Sequence, residues 1–204
     1  HDIDEIWDYK VVGIWQEEDR EEAAKYGQQP GDVHLLDVDG NGSYTNEDKV
    51  FQGTKTPRFR WNMRNEFTLF KNLTFSFSMY SYLGHKQTLG RFTNDNALLN
   101  VTNQIKREYW TPENRNNEYP RLASKKPSGV TYAIYKNASF LRFDNISLGY
   151  SFPKRLIEPL KIQALNINAT MKNAGYISNW PGYDPENSDK NTPRIIYFGI
   201  NLTL

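Results

Sequence analysis

The chain contains no cysteine, which excludes disulfides, zinc–thiolate centres and cysteine nucleophiles. It also has no apolar run approaching the roughly 20 residues that a membrane-crossing helix needs, and its mean hydropathy is -0.76. A helical membrane protein is thereby ruled out. A β-barrel is not, because alternation hides a lipid-facing side from any hydropathy average. Charge of one sign is scarce: 25 Lys and Arg against 24 Asp and Glu leave a net charge of +1, dispersed along the chain. Without a basic field, nucleic acid is not an expected partner. His34 and His85 have no partner at metal or catalytic spacing, and there is neither a Gly-x-Ser-x-Gly elbow nor a phosphate-cradling glycine loop. The carboxylates form no recognisable acid/base pair, so the chain reads as a non-enzyme. No basic segment followed by an apolar one opens the chain, and His1-Asp2-Ile3 reads as the start of an internal fragment.

What the sequence does have is aromatic residues, at 14%, and alternation. From Phe59 the odd positions read Phe59, Trp61, Met63, Asn65, Phe67 and Leu69, while the even ones read Arg60, Asn62, Arg64, Glu66 and Thr68. That is a strand of period two with one apolar face. After Phe70-Lys71-Asn72 the pattern resumes with Leu73, Phe75, Phe77 and Met79 against Thr74, Ser76, Ser78 and Tyr80, giving a long hairpin. Strands of soluble domains usually run about five or six residues, whereas a tilted strand crossing a bilayer needs about 9 to 11. Length favours a membrane wall, with Asn65 the one polar residue on its apolar side.

Similar patterning predicts six strands, at about 6–16, 57–69, 73–83, 138–152, 161–172 and 195–204, in one segment over 1–204. An acidic helix is expected over 17–26, a helical turn near Leu156, and a helix over 96–109 on the spacing Leu98, Val101, Ile105. The connections alternate long and short, as in outer-membrane barrels, whose periplasmic turns are short and extracellular loops long. That parity places 17–56, 84–137 and 173–194 outside the cell. Seven Asn-x-Ser/Thr triplets, such as the one at Asn168, follow in part from alternation itself, since period two puts both polar residues on one face.

Three sets of candidate site residues stand out. Asp37, Asp39, Asn41, the Ser43 carbonyl, Thr45 and Asp48 occupy the oxygen-donor positions of a twelve-residue calcium loop, with Gly42 where the sharp turn needs glycine. Tyr44 and Asp48 depart from that template, and an Asx-Gly turn without metal is the competing reading. Tyr109, Trp110, Trp180 and Tyr183 lie in expected outer loops, where aromatic rings can stack on a ligand or pack the loop. Arg60, Arg64 and Glu66 would line the lumen of a barrel.

The chain also resembles a known family. Gly13-Ile14-Trp15-Gln16, Pro30-Gly31-Asp32 and Asp37 to Gly42 are followed by Tyr109-Trp110-Thr111-Pro112-Glu113-Asn114 and Pro120-Arg121. Then come Ser139-Phe140-Leu141-Arg142, Asn145 to Tyr150, Gly182-Tyr183-Asp184-Pro185-Glu186 and the Gly199 to Leu204 ending. In this order the motifs are similar to those of SusC/RagA-type TonB-dependent outer-membrane receptors of Bacteroidetes. The resemblance implies the last six strands of an all-β, transmembrane antiparallel barrel of about 22 strands. It implies import of glycans or peptides across the Gram-negative outer membrane, with a SusD-like surface lipoprotein and, through a plug region absent from this chain, TonB. Leu202 and Leu204 depart from the aromatic ending usual in such barrels. The alternative from residues alone is a secreted, calcium-stabilised β-sandwich that binds carbohydrate, with the apolar face turned inward. A weaker third is a glycan-cleaving enzyme.

Overall fold

A computed structural model describes residues 3–89, 108–122, 124–187 and 190–204. The helix expected over 96–109 falls almost wholly outside the described residues. Where the sequence reading has one segment, the chain divides into two compact units, His1–Lys55 with Lys86–Lys136 and Thr56–His85 with Asn137–Leu204.

The first unit holds β1 (Glu5–Tyr9), β2 (Val11–Ile14), a 3-10 turn and α1 (Arg20–Lys25), β3 (Val33–Leu35), β4 (Lys49–Thr54), β7 (Lys86–Thr88) and β8 (Tyr135–Asn137), which reaches its boundary. These strands pair only two by two: β1 with β4, β2 with β3, β7 with β8. This corrects the expected strand over 6–16, which is broken at Lys10 into two short strands of different sheets. The reason is burial on both sides. Ile6, Tyr9, Ile14 and Trp15 are all core residues, packed with Val33 and Leu35, so the segment serves a closed core rather than a two-faced wall. An apolar strand facing protein and one facing lipid look alike in sequence.

The second unit is a five-stranded antiparallel sheet in the order β11-β10-β9-β6-β5. Its strands are β5 (Phe59–Leu69), β6 (Leu73–Leu83), β9 (Phe140–Ser151), β10 (Ala164–Ser178) and β11 (Ile195–Thr203), with α2 (Lys154–Ile157) and a 3-10 turn between β9 and β10. The expected hairpin is present with Leu69 opposite Leu73, and Phe70 and Lys71 both take positive φ to close it. Asn72 secures the turn by donating from its side-chain amide to the Ser151 carbonyl. At the far end of the sheet β10 runs six residues beyond its expected limit.

Register makes the sheet two-faced, since residues directly opposite one another share a side. One row across the sheet reads Phe75–Leu148–Ala169–Phe198 and the next reads Glu66–Ser76–Ser147–Thr170–Tyr197. The apolar side is not covered: Phe198 is 79% exposed and Ile200 72%. A β-sandwich would bury that side between sheets, so the sandwich alternative is overturned. Asn65 sits on the apolar side opposite Phe77, and its amide nitrogen is buried without a hydrogen-bond partner.

Candidate site: the polar face and its loop anchors

Arg60, Arg64 and Glu66 lie together on the polar face of β5, as the alternation requires. Arg64 reaches Glu66 at 3.5 Å, with both side chains mostly exposed; such a pair contributes under about 1 kcal/mol. The Arg60 guanidinium instead rests over the Tyr82 ring, 5.1 Å from its centre. Toward the 139–142 end of the face the rows become aromatic, Asn62–Tyr80–Arg142–Tyr176 and then Arg60–Tyr82–Phe140–Ser178.

In the middle of that end lies Arg142, a residue that sequence reasoning left without a role. Its side chain is 3% exposed and its Nη2 donates to Asp184 Oδ1 at 2.5 Å, the Asp184 side chain being 1% exposed. Nη1 donates to the Asn173 amide oxygen, and Nε lies 3.2 Å from Glu186 Oε2, an ion pair rather than an aligned hydrogen bond. A bulge explains Asn173. The register of β9 and β10 shifts between Lys172 and Gly175, Asn173 takes φ 54°, and its side chain is aimed at Arg142 on one side and at the Thr192 and Pro193 carbonyls on the other. Asp184 also accepts from the Thr192 hydroxyl and the Glu186 backbone, Tyr80 donates to Glu186, and Tyr176 donates to the Tyr183 carbonyl. The 179–194 connection is therefore bound down onto the polar face by a buried charge network.

Burial alone would push the Asp184 carboxyl up, but the bonds from Thr192, Glu186 and Arg142 outweigh it and hold it below its ordinary 3.8. A depressed carboxyl contributes stability that is present above its unfolded value and is lost as pH falls through its folded one. Protection of the 179–194 connection against proteolysis is thus expected to stay constant from neutral pH to about 4 and to fall below that. An Asp184→Asn variant, assayed alongside, is expected to show no such acid step.

The first unit is built around a second Arg–Asp pair. Asp32 is buried and accepts from Arg121 Nε at 2.9 Å and from the Lys125 and Gln29 backbones. Beside it Gly31 takes φ +87°, donates to the Trp15 carbonyl and accepts from the Arg121 backbone. The Trp110 indole packs closely against Gly31 and donates to Gln16 Oε1 at 3.0 Å. Asn117 accepts from the Ile14 backbone at 2.8 Å. Motifs nearly a hundred residues apart in sequence are thus one assembly.

These contacts correct part of the aromatic expectation. Trp110 is 5% exposed and Trp180 7%, so neither presents a ring face to a ligand. Trp180 packs so closely over Gly182 that no side chain fits there. Tyr109 and Tyr183 keep some surface.

In the 37–48 loop, Asp37, Asp39 and Asp48 each bring a carboxylate oxygen within 4.8 Å of the others. Asp48 is fully buried and accepts from the Val38 and Thr45 backbones at 2.7 and 2.6 Å. Asp37 accepts from Gly40, Gly42 and the Tyr26 hydroxyl. Burial pushes the Asp37 carboxyl up, yet these bonds prevail and hold it below its usual range, while burial and then Asp37 push the Tyr26 phenol up to about 12. Asn41 Oδ1 is taken by the Ser43 N–H and hydroxyl, and Thr45 Oγ1 accepts from Glu47. Three of the six expected oxygen positions thus converge as charged groups, while Asn41 and Thr45 are engaged within the loop.

No family model matches the chain. It is 25% identical over 197 residues to TonB-dependent receptor P3 of Formosa agariphila, covering 93% of this chain and 19% of that protein. It is 30% identical over 193 residues to TonB-dependent receptor SusC of Bacteroides thetaiotaomicron, covering 86% of this chain and 18% of that one. The structure of the RagAB peptide transporter superposes on 97% of the chain with a TM-score of 0.67 at 19% identity, using 22% of the transporter chain. The open-open state of the RagAB peptide importer gives 0.65 at 20% identity. The chain spans about a fifth of the length of these relatives.

Proposed function

We infer, from its membership of the SusC/RagA-type TonB-dependent receptors, that this chain is a stretch of outer-membrane barrel wall near the C-terminus of such a receptor. The observation that carries this is the two-faced sheet: an uncovered apolar side running through all five strands, backed by continuous rows of Ser, Thr, Asn and charged residues. Apolar area left in water costs about 25 cal/mol per Å², so a face this large needs lipid against it. The polar side then faces the lumen, and the 179–194 connection lies on the outer side. The wall performs no chemistry of its own. It would serve import of oligomeric nutrients, glycans or peptides, with the rest of the barrel, a SusD-like lipoprotein and TonB acting through the plug. The full receptor is expected in the outer-membrane fraction, with heat-modifiable migration in a detergent gel and nutrient uptake lost on its deletion. A detergent-free soluble protein would contradict this.

The same proposal assigns calcium to the 37–48 loop. Three carboxylates within 4.8 Å repel one another, and a hard cation among them relieves that repulsion. Asp37, Asp39 and Asp48 would hold it, with Asn41 and Thr45 turning from their loop bonds and the Ser43 carbonyl completing the set. At about a hundredfold excess over its dissociation constant, calcium should stabilise the unit that holds the loop by about 2.7 kcal/mol. Calorimetry of the full receptor checks this. The gain should vanish in Asp48→Asn, and a wild-type receptor that neither binds nor is stabilised by calcium rules the site out.

A further inference from the structure

Among the described residues, two strand cations on the polar face, Arg60 and Lys172, have no carboxylate partner, and Arg60 borders a recess. Arg64 is paired with Glu66, and Arg142 is surrounded by Asp184, Glu186 and Asn173. Arg60 has no carboxylate within ion-pair distance among the described residues; its guanidinium rests over the Tyr82 ring, with the His85 imidazole within reach of its charge. It borders a recess of about 410 Å³ on the polar face, formed by Arg60, Trp61, Asn62, Tyr80, Tyr82 and Glu186. Guanidinium, amide and phenol groups at one side of this recess supply hydrogen-bond donors, five of them in the planar fork of the arginine. The other side is Glu186, whose carboxylate takes the Tyr80 hydroxyl at 2.6 Å and faces Arg142. The recess therefore has a free positive end and a negative end already turned toward protein groups. Its depth is fixed, because the 179–194 connection that carries Glu186 is held down by the Arg142–Asp184 pair.

We propose that this recess is a subsite on the import path that receives an oxyanion, a carboxylate or sulfate carried by the transported oligomer, with Arg60 gripping it bidentately and Asn62 and Tyr82 donating beside it. A guanidinium matches the geometry of a planar or tetrahedral oxyanion as an ammonium does not, and its pose over an aromatic ring limits the entropy lost on binding. The subsite rests on the import reading, since it assigns the substrate chemistry of that same lumen face. Hydroxyl-rich acidic sugars and acidic peptides share the oxyanion; they differ in what meets the Glu186 end.

The test uses the full receptor and selenate as a heavy oxyanion. An anomalous peak is expected between Arg60 and Asn62 in soaked wild-type crystals. In solution, Arg60→Gln should lower selenate affinity about 10- to 100-fold, the loss expected for charge-assisted hydrogen bonds, and Arg60→Lys should restore only part of it. Heat-modifiable migration verifies that each variant is folded. Displacement of selenate by tetragalacturonate or by tetra-aspartate supports the subsite and identifies the source. Equal displacement by a neutral galactose tetramer, or no selenate peak in wild type, overturns it. The import reading fails separately, if deleting the receptor leaves uptake of oligomeric nutrients unchanged.

Discussion

Asp184→Ala is expected to free the 179–194 connection from the wall and to lower the stability of the receptor's outer end by about 3–5 kcal/mol, the cost of leaving one member of a buried ion pair without its partner. The Arg142 guanidinium is fully inside, between the Phe140 and Tyr176 rings at 5.5 and 5.2 Å, and cannot rotate to water. Glu186 is its remaining carboxylate, but at 3.2 Å and off the hydrogen-bonding direction it replaces little. The loss should appear as rapid cleavage after Lys190 by trypsin added to intact cells, while the hairpin 59–83 stays protected. Arg142→Met, which removes the charge along with its partner's need for it only when combined with Asp184→Leu, distinguishes pairing from packing. The double variant is expected to recover part of the protection that each single change loses, whereas additive losses would mean that the two residues act independently.

Gly31→Ala carries the second large effect. Two penalties coincide at this position: a φ of +87°, which costs a residue with a Cβ about 1–2 kcal/mol, and a methyl that would run into the Trp110 indole and lie 2.9 Å from Arg121 Cδ. Neither neighbour can yield, because Trp110 is held by Gln16 and Arg121 by Asp32. The expected cost is about 2–5 kcal/mol, read as a lower thermal midpoint of the first unit. Gly40→Ala supplies the comparison. It has φ +69° but open space around it, so it should lose only the backbone part.

The hairpin was legible because period two is a local signal and both of its strands are long enough to state it several times over. The same signal misled at 6–16. There Trp7, Tyr9 and Trp15 alternate well enough, but Ile6 and Ile14 in the opposite phase are also buried, and nothing in an apolar residue says whether protein or lipid will cover it. The extra length of β10 was hidden by Asn173, which reads as a loop residue and is in fact the left-handed residue of a bulge within the strand. Arg142 and Asp184 are 42 residues apart and have no spacing rule to join them. Their only sequence trace is that each stands in a motif of the family resemblance, as do Gly31, Asp32, Trp110 and Arg121. Those motifs mark buried anchors, which is why Trp110, taken singly as a ligand platform, is almost wholly buried.

The central claim is that the odd-numbered side of the 59–69 strand, with the rows continuing it through β11, faces lipid. This stretch has no cysteine of its own, so single cysteines can be placed on it in a receptor whose remaining cysteines, if any, are replaced by serine. Spin labels at Met63, Ile167 and Phe198, and at Arg64, Asn168 and Tyr197, in the full receptor reconstituted in bilayers, sample the two sides of three strands. Collision with oxygen, which concentrates in lipid, should dominate at the first three positions. Collision with a water-soluble nickel chelate should dominate at the second three. The reverse assignment, or equal access to the chelate at all six, would contradict a membrane-spanning wall.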